Sequence, residues 1–217
     1  ANRAPQSSGK LRRTTRHAVA PTEPVAGVLA GIRVVEIADE LAAHAGLSFA
    51  SLGADVIKVE GLVRPDGMRF SSARRPNEDE WWEAGPIFHS VNAGKRGVTL
   101  DLGTETGRAL LFDLIEHADG VIENFSPRVL DTFGITWDAV HARNPRAIMV
   151  RMPSFGLDGP WRDRVGFAQT MEQVSGMAWI TGYPDEVPVI PRGACDPLAG
   201  MHATVAFLAA LAERERS

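Results

Sequence analysis

The chain has 217 residues, 44% of them hydrophobic and 23% charged, with a formal net charge of -4, which is the profile of a soluble globular protein of one large domain or two small ones. That charge gives no bulk reason to expect nucleic-acid binding, and the apolar runs look too short and interrupted to span a bilayer. A single cysteine, Cys195, excludes an internal disulfide and fits a reducing, cytoplasmic compartment.

Residues 1–21 carry five basic side chains (Arg3, Lys10, Arg12, Arg13, Arg16) and no acid. With no helical or strand period and much Pro, Ser, Thr and Ala, residues 1–28 read as a flexible basic tail or linker. An acid-free, Arg- and Ser-bearing start also has the composition of an organelle transit peptide, although its amphipathic pattern is poor. The first residue is not Met, so a processed product or an internal piece is expected.

From Gly31 strands and helices alternate. "IRVVEIA" reads as a buried strand and "ELAAHAGLSFASLG" as a helix stopped at Gly53; "ADVIKVE" is the next strand. Residues 61–86 look irregular. "RGVTLDL" is a strand, and "TETGRALLFDLIEHA" a helix with Thr104 as its N-cap. "DGVIENF" is a strand, "SPRVLDTFG" and "TWDAVHARNP" are short helices, and "RAIMVRM" is a strand ending at Pro153. A long apolar helix pattern follows Asp196. This rhythm predicts an α/β fold, a Rossmann-like parallel sheet with helices on both faces. Ligands of such sheets sit beyond the carboxyl ends of the strands, which directs attention to Asp39, Glu40, residues 60–64, Asn124 and Phe125.

A nucleotide-binding turn is the first chemistry to test. A dinucleotide site needs G-x-G-x-x-G after the first strand, so that backbone can approach a pyrophosphate. The turn here is "ADELAAHAG", with no glycine at the contact and two acids, so NAD(P) is not expected. Six scattered histidines with no i, i+4 pair and no companion cysteines argue against a metal. His44 reads as a satisfied core or interface histidine. No G-x-S-x-G elbow supports a serine hydrolase.

Several collinear segments resemble family III CoA-transferases, the group that includes formyl-CoA transferase, carnitine CoA-transferase and the α-methylacyl-CoA racemases. They are "LAGIRVVEIA", "LGADVIKVEG", "NAGKRGVTLDLGTETGRALLFDLIEHADGVIENFSP", "NPRAIMVRMPSFGLDGPWRDRVGF" and "GACDPLAGMHATVAFLAALAER". The resemblance implies that residues 29–217 are a portion of the family's large domain, and that CoA enters as an acyl-CoA substrate. It implies a carboxylate that attacks the thioester and becomes a mixed anhydride, and Asp196 matches that aspartate. Such an acid must be ionised yet poorly hydrated; a helix N-terminus would favour the anion, and Asp196 could equally be that helix's N-cap. By the same resemblance Lys95, Asn124 and Phe125 match residues that hold CoA, and Asp39 and Glu40 lie in the turn that contacts CoA and substrate. Arg64 and Arg69 are candidates for its phosphates, with solvated surface charge as the plainer reading; Asn124 reads equally as a loop turn and Phe125 as core packing.

The match departs from the family in places. Leu41, Ala42 and Ala43 replace an A-G-P-like turn, Arg128 replaces a glycine, Thr132 a basic residue and Ala168 an acid. Phe167 stands where racemases carry a histidine, which disfavours racemisation because inversion needs two proton carriers. Family members are roughly twice as long, so a fragment is expected, without the small domain and the C-terminal return segment. Homodimers, interlocked in the family, or the rest of the same chain are the expected partners; acyl-CoA and a carboxylic acid are the expected substrates; neither nucleic acid nor membrane is expected. The rival reading is a non-catalytic scaffold or dimerisation module of a fused CoA-transferase.

Overall fold

Five short runs of mostly β-branched residues form five parallel strands in a computed structural model, which describes residues 27–39, 43–71, 74–75 and 77–216. The strands are β1 (Arg33–Ile37), β2 (Asp55–Glu60), β3 (Arg96–Thr99), β4 (Gly120–Glu123) and β5 (Ile148–Arg151), in the order β3-β2-β1-β4-β5. The helices are α1 (His44–Ser51), α2 (Pro86–Asn92), α3 (Glu105–Glu116), α4 (Pro127–Phe133), α5 (Trp137–Arg143), α6 (Ala168–Val174), α7 (Met177–Ile180) and α8 (Cys195–Arg214). The expected tail lies almost wholly outside the described residues, as do Glu40, Leu41 and Ala42. The sequence pattern misses α2, α6 and α7, and the stretch taken as irregular holds single 3-10 turns at Gly67–Ser71 and Trp81–Glu83.

Alternation along each strand sorts side chains onto two faces. Val35, Ile37, Val59 and Val121 meet Leu111 and Ile115 of α3, Leu130 of α4 and Val140 of α5. Val34, Val56 and Ile122 meet Phe49 of α1 and Phe207 of α8 on the other face. α3 begins as its sequence predicts: Thr104 Oγ1 accepts the Gly107 N–H at 3.0 Å. α4 stops at Gly134, whose φ of 69° belongs to the left-handed region that ends helices.

The expectation that no segment is long and apolar enough to span a bilayer is corrected by α8, a helix of 20 residues with an 18-residue stretch of mean hydropathy 1.3. Its apolar run continues through Gly200 and the small residues that flank it, which the eye reads as interruptions. In the fold this helix packs on α1 and the sheet. Phe207 lies fully buried against Phe49, with ring centroids 4.8 Å apart, and over Gly120, where a Cβ would come within 3.0 Å of the ring. At Gly200 a Cβ would stand 2.9 Å from the Ala45 nitrogen, so α1 and α8 meet almost backbone to backbone. That contact brings the first turns of the two helices together.

Candidate active site

The strand order reverses between β1 and β4, the position at which open α/β sheets leave a crevice. Asp39 leaves β1 there and Asn124 leaves β4. The Asn124 side chain clasps the other chain end: its Oδ1 accepts the Asp39 N–H at 3.0 Å and its Nδ2 donates to the Asp39 carbonyl at 3.1 Å. It thus extends the ladder by one side-chain amide and fixes the mouth of the crevice. Phe125 is half-buried against the α3–α4 core, and its N–H donates to the buried Glu123 carboxylate at 2.8 Å.

A buried group of charges lies under this mouth. Glu36 and Lys58 are cross-strand neighbours in the β1–β2 register. Lys58 Nζ pairs with Asp66 at 2.8 Å and Glu36 at 3.5 Å, and donates to the Ala38 carbonyl at 2.6 Å. Lys95 Nζ pairs with Glu36 at 2.8 Å and donates to Ala43 O and Asn92 Oδ1, each at 2.9 Å. An ammonium has three donors, and all three are engaged inside the fold. The Lys95 side chain is only 2% exposed. Lys95 therefore presents buried positive charge, while a direct bond to a phosphate would require releasing one of these partners. Burial lowers its pKa, opposed by Glu36. Asp39 titrates at about 6, raised chiefly by burial and opposed by the Lys58 charge. Arg64 is exposed nearby and its charge also lowers Asp39.

Arg69 is placed differently. Its guanidinium forms a fork with Glu60, at 2.6 and 3.2 Å, reaches Glu83 at 3.1 Å and lies over the Phe88 ring, 3.8 Å from the centroid. With Trp81, Trp82, Phe88, Pro65 and Lys95 it lines a cleft of about 760 Å³ beyond β2 and β3. A flat aromatic group fits such walls.

Asp196 lies in the first turn of α8, beside His44 at the start of α1 and outside the residues that line this cleft. It is not the N-cap: Ala194 holds that position, with no side-chain cap bond. Burial raises the Asp196 carboxyl above the ordinary carboxylate range; the nearby Glu172 charge adds to this and His44 opposes it. A second carboxylate stands at the same place. It belongs to Glu172, which accepts from Gly193 N at 2.8 Å and Arg192 N at 3.0 Å in the turn before α8, and from Cys195 N, the first residue of the helix, at 3.4 Å. His44, taken from the sequence for a core or interface residue, stands at the α1–α8 contact beside Asp196.

Asp39, Arg64 and Asn124 therefore follow the ends of β1, β2 and β4, Lys95 precedes β3 and lines the cleft, and Asp196 stands at the start of α8 beside His44. Arg69 belongs to the cleft, and Phe125 to the core edge. Sequence reading passed over Glu36, Lys58, Asp66 and Glu172. For Glu36 and Lys58 a signal exists: each is a single charge inside an apolar strand, "VVEI" and "VIKV", and the two pair in register. Glu172 had none, because its partners are backbone groups about twenty residues away. Among the described residues no group of three or more His, Cys, Asp or Glu side chains is disposed to hold a metal.

A family model described as CoA-transferase family III matches residues 29–217. Succinyl-CoA--D-citramalate CoA-transferase of Chloroflexus aurantiacus is 39% identical over 189 residues, 86% of this chain and 46% of that protein. Succinate--glutarate CoA-transferase of Agrobacterium fabrum is 37% identical, over 87% of this chain and 48% of that protein. A crystal structure of a CAIB/BAIF family protein from Brucella suis superimposes with a TM-score of 0.80 at 36% identity, covering 88% of this chain and 51% of that one. The chain spans about half the length of the curated relatives it matches.

Proposed function

Because this chain belongs to CoA-transferase family III, we propose that it carries the nucleophile and part of the CoA site of an enzyme that moves CoA between carboxylic acids. An Asp196 oxygen bonds to the acyl carbon of the donor thioester, the C–S bond breaks, and CoA leaves as the thiolate. The acceptor carboxylate then displaces the donor acid from the anhydride. The retained thiolate attacks the acceptor's acyl carbon, which forms the new thioester and restores the Asp196 carboxylate. Each step exchanges one carboxylate or thiolate for another, so no redox partner is needed.

The observation that carries this reading is the setting of Asp196. It is half-buried and its carboxyl is raised by burial, beside the contact between α1 and α8. A desolvated carboxylate is a better nucleophile than a hydrated one. The thioester reaches Asp196 while the crevice mouth, formed by Asp39 and Asn124, and the buried positive charge of Lys95 lie along the CoA chain. The aromatic cleft, with Arg64 at its approach, receives the nucleotide end. Glu40 belongs to the same turn by sequence. We place residues 1–28 as a linker, the working compartment in the cytoplasm, and a second copy or further chain as the partner that completes the site.

The test is trapping. Incubation with an acyl-CoA and hydroxylamine should leave a hydroxamate on Asp196, found by peptide mass spectrometry and lost in Asp196→Ala. A hydroxamate that forms equally on other carboxylates, or exchange that survives Asp196→Ala, refutes the assignment. One observation favours the rival scaffold reading: Lys95 and Arg69 are both engaged by internal partners. Absence of CoA binding to this chain within its full assembly would select that reading.

A further inference from the structure

The turn that carries Asp196 has its own buried anion. Glu172, the fifth residue of α6, is fully buried, and its carboxylate faces the turn before α8. Arg192 and Gly193 both have left-handed backbone, with φ of 61° and 109°. Ala194 follows in the right-handed region, with φ of -63° and ψ of -29°, and such a change of hand between neighbouring residues turns successive N–H groups to one side as an anion-binding nest. Glu172 fills it. Oε1 accepts from Gly193 and Cys195, Oε2 from Arg192, and the Ala194 N–H also faces it. Burial alone would raise this carboxyl; the backbone donors outweigh burial and hold it below its usual range, so it is an anion at neutral pH.

Two consequences reach Asp196, the residue after Cys195. Its backbone is fixed from one side by the Glu172 bonds and from the other by the Gly200–His44 contact. At the helix start itself, the N–H groups of the N-cap Ala194 and of Cys195 are directed at Glu172. A second negative charge, that of Glu172, thus stands close to Asp196. We propose that Glu172 is the positioning residue for Asp196, holding the turn that opens α8 in the reactive geometry. This inference rests on the transfer reading above, but it has a readout that does not.

Cys195, the single thiol of the chain, lies between the two carboxylates, and its pKa is raised by burial and then by the Asp196 and Glu172 charges. Alkylation by iodoacetamide, followed against pH, separates the two things Glu172 does. Loss of its charge moves the thiol's midpoint to lower pH at an unchanged limiting rate, whereas loosening exposes the thiol and so lowers the midpoint and raises the limiting rate together. In the isosteric Glu172→Gln the midpoint should fall, as in Asp196→Asn. In the full transferase the same variant should lower kcat about tenfold or more with KM for acyl-CoA within about twofold, because misplacement of a reacting group costs up to about 100-fold. The acid limb of its kcat/KM profile should move to lower pH, and Glu172→Asp, which keeps the charge, should restore that limb. An unchanged Cys195 midpoint together with unchanged kcat, at a lowered melting temperature, would overturn the proposal and leave Glu172 a purely structural residue. If exchange survives Asp196→Ala, the transfer reading fails, and the Cys195 titration still decides whether Glu172 sets the charge at this turn.

Discussion

Replacing Lys95 by Met tests the claim that this lysine is first a structural cation. The substitution keeps the length of the side chain and removes the charge. It leaves Glu36, fully buried, with only Lys58 at 3.5 Å, and Lys58 is itself held closer by Asp66 at 2.8 Å. Removing one partner of a buried ion pair costs about 3–5 kcal/mol. For a domain of this size each kcal/mol lowers the melting temperature by about 2–4 °C, so a fall of about 6–20 °C is expected. Urea unfolding and calorimetry on the chain supply both numbers. The double variant Glu36→Met/Lys95→Met should recover most of the loss, since an apolar pair of similar volume carries no unpaired charge. The pH dependence adds a sign. Burial holds the folded Lys95 pKa below the free value of 10.5, so the unfolded chain binds more protons in the alkaline window that ends there. The stability increment from this group therefore rises with pH through that window, and Lys95→Met abolishes it. A loss below about 1 kcal/mol, or a raised KM for acyl-CoA at an unchanged melting temperature, would refute the reasoning and make Lys95 a direct phosphate ligand.

Three further outcomes follow from the same geometry. Gly46→Ala would ordinarily favour a helix by about 1 kcal/mol, yet here the new Cβ lands on the Glu36 carboxylate, 2.8 Å from its carboxyl carbon and 3.0 Å from Lys95 Cε. Net destabilisation by about 1–3 kcal/mol is expected in urea; a gain would show that the carboxylate can step aside. Asp39→Asn tests the group that titrates at about 6 against 3.8 when unfolded. Because the folded carboxyl keeps a proton that the unfolded chain releases, the parent loses stability as pH rises through that window, and the variant should be more stable at pH 7 by about 1–3 kcal/mol, with the gap closing below pH 4. A gap independent of pH would refute the assignment. Phe207→Ala should cost about 3–5 kcal/mol by emptying the contact between α8, α1 and Gly120; a value near zero would mean that α8 is not anchored there.

The alternation of apolar runs, the Thr104 cap and the glycine stops are local. They follow from side-chain periodicity and backbone freedom, so β1 to β5, α1, α3, α4 and α5 were legible from residue order alone. The collinear motifs likewise marked Asp196 and the family before any fold was known. Charges were not legible in the same way. Whether Lys95 faces solvent or lies buried between Glu36, Asn92 and Ala43 depends on which atoms the sheet and α1 bring within 3 Å, and that is decided by packing. The same holds for Glu172. The sequence by itself determined a carboxylate at the start of a long helix and the strand rhythm that leads to it. Only the tertiary structure decided which carboxylate takes the N–H groups of the turn before α8, because a hydrogen bond between residues about twenty apart is a property of how α6 packs, with no trace in local pattern.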